Sequence, residues 1–260
     1  EKPSTPLSEI TAAAQTVPSD FAGPPPPGTP VPAAVTLLAD GAAIDPVWLN
    51  GLGGLTYRLG LPDGEAYVKW TPPGSVDLSQ EAERLAWAGR FTPVPSVLGL
   101  GSDDAGSWLL TRGLPARSAV DPRWLADPAT AAHAVGKGLR ALHEALPLAD
   151  CPWSWSVSDR LAEADPGVAA ALGPIPDLDL VVAHGDACVP NTLLHDDGTW
   201  AGHVDLGTLG IADRWADLAI AAWSTEWNYG PGWAGVVYEA YGIEPDPVKI
   251  AFYRRLWDIT

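Results

Sequence analysis

Cysteine and basic residues are scarce in this chain. Only Cys151 and Cys188 occur among 260 residues. Two cysteines make no disulfide framework, and neither sits in a Cys/His spacing that would hold zinc. Both read as reduced thiols, and the expected compartment is the cytoplasm. No apolar run is long enough to span a membrane, so no membrane partner is expected. The first residues lack the basic block and apolar block of a secretory leader, and none is expected there. Lys and Arg number 15 against 32 Asp and Glu, a formal net charge of −17. Phosphate backbones need basic patches, so nucleic acid is not an expected partner. A negative field favours a cationic ligand; the same charge also serves solubility.

What is present organises into three stretches. Residues 1–34 form a Pro/Ala-rich N-terminal extension that includes Gly23-Pro24-Pro25-Pro26-Pro27-Gly28. It has polyproline character and reads as a loose leader. Residues 35–113 are β-rich. Gly51-Leu52-Gly53-Gly54 precedes a strand at Leu55–Leu59, Pro62-Asp63-Gly64 is a turn, and Ala66–Trp70 is the return strand. Asp77–Gly89 has helical spacing, with Leu78, Ala82, Leu85 and Ala86 on one side. Val97–Leu100 and Ser107–Thr111 read as two further strands. Residues 114–260 are mainly helical, with helices expected over Ala129–Leu146, Ala212–Trp227 and Val248–Trp257. Short strands are expected at Val181–Ala183, Thr192–Leu194 and Gly202–Asp205. A β-rich front and an α-rich back imply an α+β chain of two lobes with a cleft between them.

The strongest chemical signal is His184-Gly185-Asp186-Ala187-Cys188-Val189-Pro190-Asn191, followed across a hairpin by Asp205-Leu206-Gly207. Each carboxylate alone would more often cap a turn or end a strand. In this order they match the grammar of phosphoryl transfer: a loop Asp, an Asn at fixed offset, then an Asp-containing triplet. The residue types fit the chemistry. Mg²⁺ bridging phosphate oxygens takes oxygen ligands, here Asn191 and Asp205. An acceptor hydroxyl needs a carboxylate within hydrogen-bond reach, here Asp186. His184 is assigned a supporting role in the loop.

The front lobe supplies the nucleotide half. Lys69 lies on the return strand, where it is placed to meet phosphates, and Glu81 on the next helix is placed to hold it. Gly51, Gly53 and Gly54 allow close backbone approach to phosphates, although such clusters also serve plain turns. Arg112 to Leu114 reads as the linker between lobes, whose backbone is placed to meet a nucleotide base. Asp177, Asp179, Asp186, Asp205, Glu226 and Asp258 are candidates for a negative pocket.

These motifs resemble the aminoglycoside phosphotransferase family, and most its 3′-phosphotransferase branch. The resemblance extends through Leu209–Ala219, Glu81–Leu85, Ala141-Leu142-His143, Ala149–Pro152 and Tyr241–Leu256. It covers about Val35 to Thr260. It implies a protein-kinase-like fold, ATP or GTP as donor, and Mg²⁺. It implies Asp186 as catalytic base, Asn191 and Asp205 as metal ligands, and Lys69 with Glu81 as phosphate clamp. It further implies that acidic groups of the back lobe, with Asp258 and Thr260 at the end positions, bind a cationic antibiotic. A monomer or weak dimer is expected.

The acceptor side departs from the family pattern. The segment after Asp159-Arg160-Leu161 is short and carries Gly167, Gly173, Pro174 and Pro176. Thr208 and Trp223 stand where the family has arginines, and Thr260 stands where it ends on an aromatic. Trp223 and Trp227 share a helix face, either as packing or as an aromatic wall for a bulkier cation. The branch resemblance makes an aminoglycoside acceptor the first expectation. A cationic cyclic peptide of the viomycin or capreomycin type is the second. A nucleotide-binding pseudokinase is the reading from another class.

Overall fold

Alternation along the front strands decides which side chains go inward. In the computed structural model, which describes residues 23–162 and 164–260, the front begins with helix α1 (Ala33–Ala39). It continues through β1 (Ile44–Leu49), β2 (Leu55–Leu61), β3 (Gly64–Thr71), α2 (Leu78–Ala88), β4 (Ser96–Asp103) and β5 (Gly106–Arg112). The strands form one antiparallel sheet in the order β1-β2-β3-β5-β4. Successive residues of a strand face opposite sides. Tyr57, Leu59, Ala66 and Val68 thus pack with Val35 and Ala39 of α1 on one face. Leu109 lies with Leu78, Ala82 and Leu85 of α2 in a second cluster. Lys69, beside Val68, is thereby turned away from the α1 side. Asp77 starts α2 by accepting from Ser79 N–H at 2.9 Å, which satisfies a free donor of the first turn.

The proline-rich stretch corrects the expectation of a loose leader. From Gly23 onward it lies against the front lobe. Gly23 and Leu49 exchange backbone hydrogen bonds at 2.9 and 2.8 Å, and Tyr57 Oη donates to Pro30 O at 2.8 Å. The rest of the extension, residues 1–22, lies outside the described residues. Strand β1 carries Pro46 and has no counterpart in the sequence reading. It is an edge strand with a register shift between Pro46 and Trp48, the place where a sheet tolerates proline.

The back lobe opens with β6 (Arg117–Ser118), α3 (Pro122–Leu125) and the long α4 (Pro128–Ala145). Next come α5 (Val157–Ala162), α6 (Pro166–Ala171), β7 (Leu180–Ala183), β8 (Thr192–Leu194), β9 (Trp200–His203) and β10 (Gly210–Asp213). Three helices close the chain: α7 (Trp215–Tyr229), α8 (Ala234–Tyr241) and α9 (Pro247–Ile259). β6-β8-β9 form one small sheet and β10-β7 another. α4 meets α8 where Gly136 lies against the Val237 carbonyl and Ala240, a spot where a Cβ would collide.

Two of the boundary shifts bear on the site. Ala212 and Asp213 belong to β10, so α7 starts at Trp215; pairing with β7 wins over helical continuity. The strand expected through Asp205 stops at His203, which frees Asp205 for a left-handed backbone. No helix among the described residues is long and apolar enough to cross a membrane.

Candidate active site

Lys69 ties the lobes together. Its Nζ donates to Glu81 Oε2 at 2.7 Å and to Asp205 Oδ1 at 2.8 Å. β3 carries the lysine, α2 the glutamate, and the loop after β9 the aspartate. Burial works against the Lys69 charge, but Asp205 and Glu81 outweigh it and raise its pKa. Lys69 in turn holds the Asp205 carboxyl below its ordinary range. Glu81 moves the other way, pushed up by burial although Lys69 opposes it. Asp205 has φ +63°, a backbone conformation that residues other than glycine seldom adopt and aspartate tolerates better than most.

The loop from His184 to Asn191 is positioned from behind by α7. Asp217, fully buried, accepts from His184 N–H at 2.6 Å and Gly185 N–H at 2.9 Å, and meets His143 Nε2 at 2.9 Å. Burial pushes the Asp217 carboxyl up, but the His143 hydrogen bond and nearby positive charge hold it below its usual range. Two turns further along α7, Ser224 Oγ accepts from Val189 N–H at 3.0 Å. Gly185 has φ +83°, and a Cβ there would strike Thr208 O and Trp155 Cδ1. His184 does what the sequence reading assigns it. Its Nε2 lies 2.9 Å from Val204 O and its Nδ1 accepts from Asp186 N–H at 3.3 Å.

This scaffold presents Asp186 to the cleft. Asn191 Nδ2 donates to Asp186 O at 2.9 Å. Among the described residues, the buried Asp186 Oδ1 has no hydrogen-bond partner, an orphaned acceptor of the kind a ligand satisfies. Burial, then the charge of Asp205, push the Asp186 carboxyl up. Lys69, Glu81, Asp186, Asp205, Gly54 and Thr208 line a cavity of about 340 Å³ between the lobes. Asp205 spends Oδ1 on Lys69, and Asn191 spends its amide nitrogen on the loop. The oxygens that remain, one on Asp205 in the cavity lining and one on Asn191 outside it, are hard donors of the type that suits Mg²⁺.

The glycine loop is a real turn at the cavity rim. Asn50 Oδ1 accepts from Leu52 N–H at 3.0 Å and Gly54 N–H at 2.8 Å, and Gly53 takes φ +80°. Of Gly51, Gly53 and Gly54, it is Gly54 that lines the cavity. Arg112 and Leu114 lie outside that lining. The Arg112 guanidinium turns to the β2–β3 hairpin and pairs with Asp63 at 3.0 and 2.7 Å.

The acceptor-side residues fall into separate groups. Asp179 is bound to Arg214 at 2.9 Å, and Asp177 is exposed in the same segment before β7. Trp223 and Trp227 pack together on α7 with centroids 4.8 Å apart and ring planes tilted by 55°, and Trp227 stays 44% exposed. Arg254 of α9 lies over Trp223 at 5.3 Å and reaches Glu226 at 3.5 Å. Asp258 is exposed. Thr260 Oγ1 accepts from Arg160 Nη2 at 2.9 Å. Sequence reasoning assigns no task to Asp217, Arg84 or Arg254. The run Asp213-Arg214-Trp215-Ala216-Asp217, which starts on the last residue of β10, is the signal for the first; the other two act across space and leave none.

A β-rich lobe and a helical lobe, with Lys69, Glu81, Asp186 and Asp205 around one cleft, define a phosphotransferase of the protein-kinase-like type. The chain belongs to the phosphotransferase enzyme family, whose model matches residues 49–253. It is 37% identical over 231 residues to an aminoglycoside 3'-phosphotransferase of Streptomyces fradiae, covering 75% of this chain and 85% of that one. It is 33% identical to the streptomycin 3''-kinase of Streptomyces griseus, covering 76% and 86%. Among solved structures, an aminoglycoside-3'-phosphotransferase of type VIII superposes with TM-score 0.69 at 30% identity, covering 84% of this chain and 93% of that chain. A Streptomyces rimosus aminoglycoside phosphotransferase in complex with ADP and streptomycin superposes with TM-score 0.66 at 29% identity, covering 86% and 96%.

Proposed function

We propose that this enzyme transfers the γ-phosphoryl group of ATP, or GTP, to a hydroxyl of an aminoglycoside antibiotic and so inactivates it. The observation that carries the reading is Lys69 bridging Glu81 and Asp205 in the cavity that also holds the unpartnered Oδ1 of Asp186. The relatives that act on aminoglycosides, one of them seen with ADP and streptomycin, support the donor and the acceptor class.

Each residue has a task. Lys69 meets the phosphates and Glu81 keeps it aimed. Asn191 and Asp205 would hold Mg²⁺, which neutralises charge on the phosphate oxygens. Asp186 accepts a hydrogen bond from the acceptor hydroxyl and takes its proton as that oxygen bonds to the γ-phosphorus, while the bond from the γ-phosphorus to the β–γ bridging oxygen breaks and the nucleoside diphosphate leaves. A carboxylate pushed up by burial is the better base for that step. The Gly51–Gly54 turn covers the phosphates, and the linker from Arg112 to Leu114 meets the base. Asp177, Asp179, Glu226, Asp258 and Thr260, with Trp223 and Trp227, form the acceptor side.

The exposed Trp227 beside Trp223 also favours a second acceptor, a cationic cyclic peptide that would cover the aromatic pair. Mass spectrometry separates the two. Kanamycin, streptomycin, viomycin and capreomycin are each incubated with enzyme, ATP and Mg²⁺. A gain of one phosphoryl group, about 80 Da, on an aminoglycoside supports the first reading. The same gain only on a peptide supports the second, and no gain on any acceptor removes both.

A further inference from the structure

Arg84 lies on α2 one turn beyond Glu81 and is 9% exposed. Arginine is almost never so deep unless it is paired. Carbonyls and an aromatic face meet this one. Its Nε donates to Leu209 O at 2.9 Å and its Nη1 to Gln80 O at 3.2 Å. Its guanidinium lies 5.1 Å from the centre of the Trp153 ring.

Each contact reaches a different part of the machinery. Leu209 closes the turn that begins at Asp205, and its N–H donates to Leu206 O at 3.1 Å. Trp153 O accepts from Ile211 N–H at 2.9 Å, and Trp155 N–H donates to Ile211 O at 3.0 Å. Trp155 is the ring that lies against Gly185, next to Asp186. Glu81, on the same helix as Arg84, holds Lys69, and Lys69 reaches Asp205. The contacts close a ring from Asp205 through Lys69, Glu81, α2 and Arg84 to Leu209, and back along the chain to Asp205.

We propose that Arg84 is a positioning residue: it locks α2 to the Asp205 turn and so sets the Lys69–Asp205 spacing that receives the metal-bound nucleotide. This rests on the phosphotransfer reading given above. The guanidinium suits the task because it is planar. It bonds a carbonyl with one edge while its face lies on Trp153, which an ammonium cannot do. Its length also matters, since Leu209 belongs to the other lobe.

The test is calorimetric titration of Mg–ATP into wild type, Arg84→Met and Arg84→Gln, with urea unfolding followed in parallel. Met keeps bulk and loses the donor; Gln restores an amide donor. Arg84→Met is expected to weaken Mg–ATP binding about tenfold or more, the scale of a lost charge-assisted hydrogen bond, and Arg84→Gln to recover part of it. In a Glu81→Gln background the ring is already open, so Arg84→Met should add less than about twofold. Should Arg84→Met fail to fold, Arg84→Lys, which keeps the charge but not the planar fork, takes its place with the same expectation. Wild-type affinity in the folded variant overturns the proposal, as does an undiminished effect in the Glu81→Gln background. Failure of the wild type itself to bind Mg–ATP would instead remove the phosphotransfer reading.

Discussion

Asp217 Oδ1 accepts the Gly185 N–H at 2.9 Å, and that bond fixes the backbone immediately before Asp186. The same carboxylate takes the His184 N–H and faces His143, so three donors converge on one buried group. Asp217→Ala would leave them all without an acceptor. The expected loss is about 3–5 kcal/mol of stability, the scale of breaking a buried charged network. Urea unfolding checks it, and an unchanged midpoint would contradict the anchoring role.

Lys69 stands between two carboxylates. Lys69→Met removes the cation and leaves Glu81 and Asp205 repelling each other across the cleft. Nucleotide affinity should fall about tenfold or more. The Asp205 carboxyl, now without the charge that depresses it, should titrate higher. Nucleotide binding followed by calorimetry, with Asp205 followed by NMR, checks both. Unaltered nucleotide affinity would remove Lys69 from the phosphate site.

How legible this was in the sequence depends on where each group finds its partner. Lys69, Glu81, Asp186, Asn191 and Asp205 lie in fixed order beside turns and strands, and their residue types are those the reaction needs. The β2–β3 hairpin and α2 follow from local signals, a Pro-Asp-Gly turn and the Asp77 cap. Helix α8 does not: Val236, Val237 and Tyr238 favour strand by propensity, and packing on α4 through Gly136 decides otherwise. Strand β1 hides behind Pro46. Arg84 bonds a carbonyl 125 residues away, a relationship no local pattern encodes. Two proposed cation binders, Asp179 and Glu226, have arginine partners from distant segments for the same reason.

His203 is expected to make stability depend on pH. It is 1% exposed, neither ring nitrogen has a hydrogen-bond partner among the described residues, and the ring packs against His184 and Trp200 at 5.6 and 5.5 Å. Burial, then the charge of His184, hold its pKa well below the ordinary value. The unfolded chain therefore takes up the proton first as pH falls. Stability should drop below about pH 6.5 by up to roughly 1.4 kcal/mol per pH unit until the folded form also protonates. Urea midpoints between pH 7.5 and 5.5 read this, and His203→Leu should flatten the slope. An identical slope in the variant would place the effect elsewhere.

Arg254 covers the Trp223 ring and reaches Glu226, the two groups a cationic acceptor would use. Arg254→Ala should expose both and lower the KM for such an acceptor by about threefold, with kcat little changed, since a cation–π contact at a partly exposed site is worth about 0.5–1 kcal/mol. A raised KM would mean that Arg254 itself helps to hold the acceptor.

The most direct test of the account is Asp186→Asn, assayed for phosphoryl transfer and for Mg–ATP binding side by side. The substitution keeps the shape of Asp186 and removes its capacity to take a proton. Transfer to the aminoglycoside should fall by at least about 100-fold while Mg–ATP affinity stays near wild type. Near-normal turnover, or loss of nucleotide binding as the main defect, would contradict it.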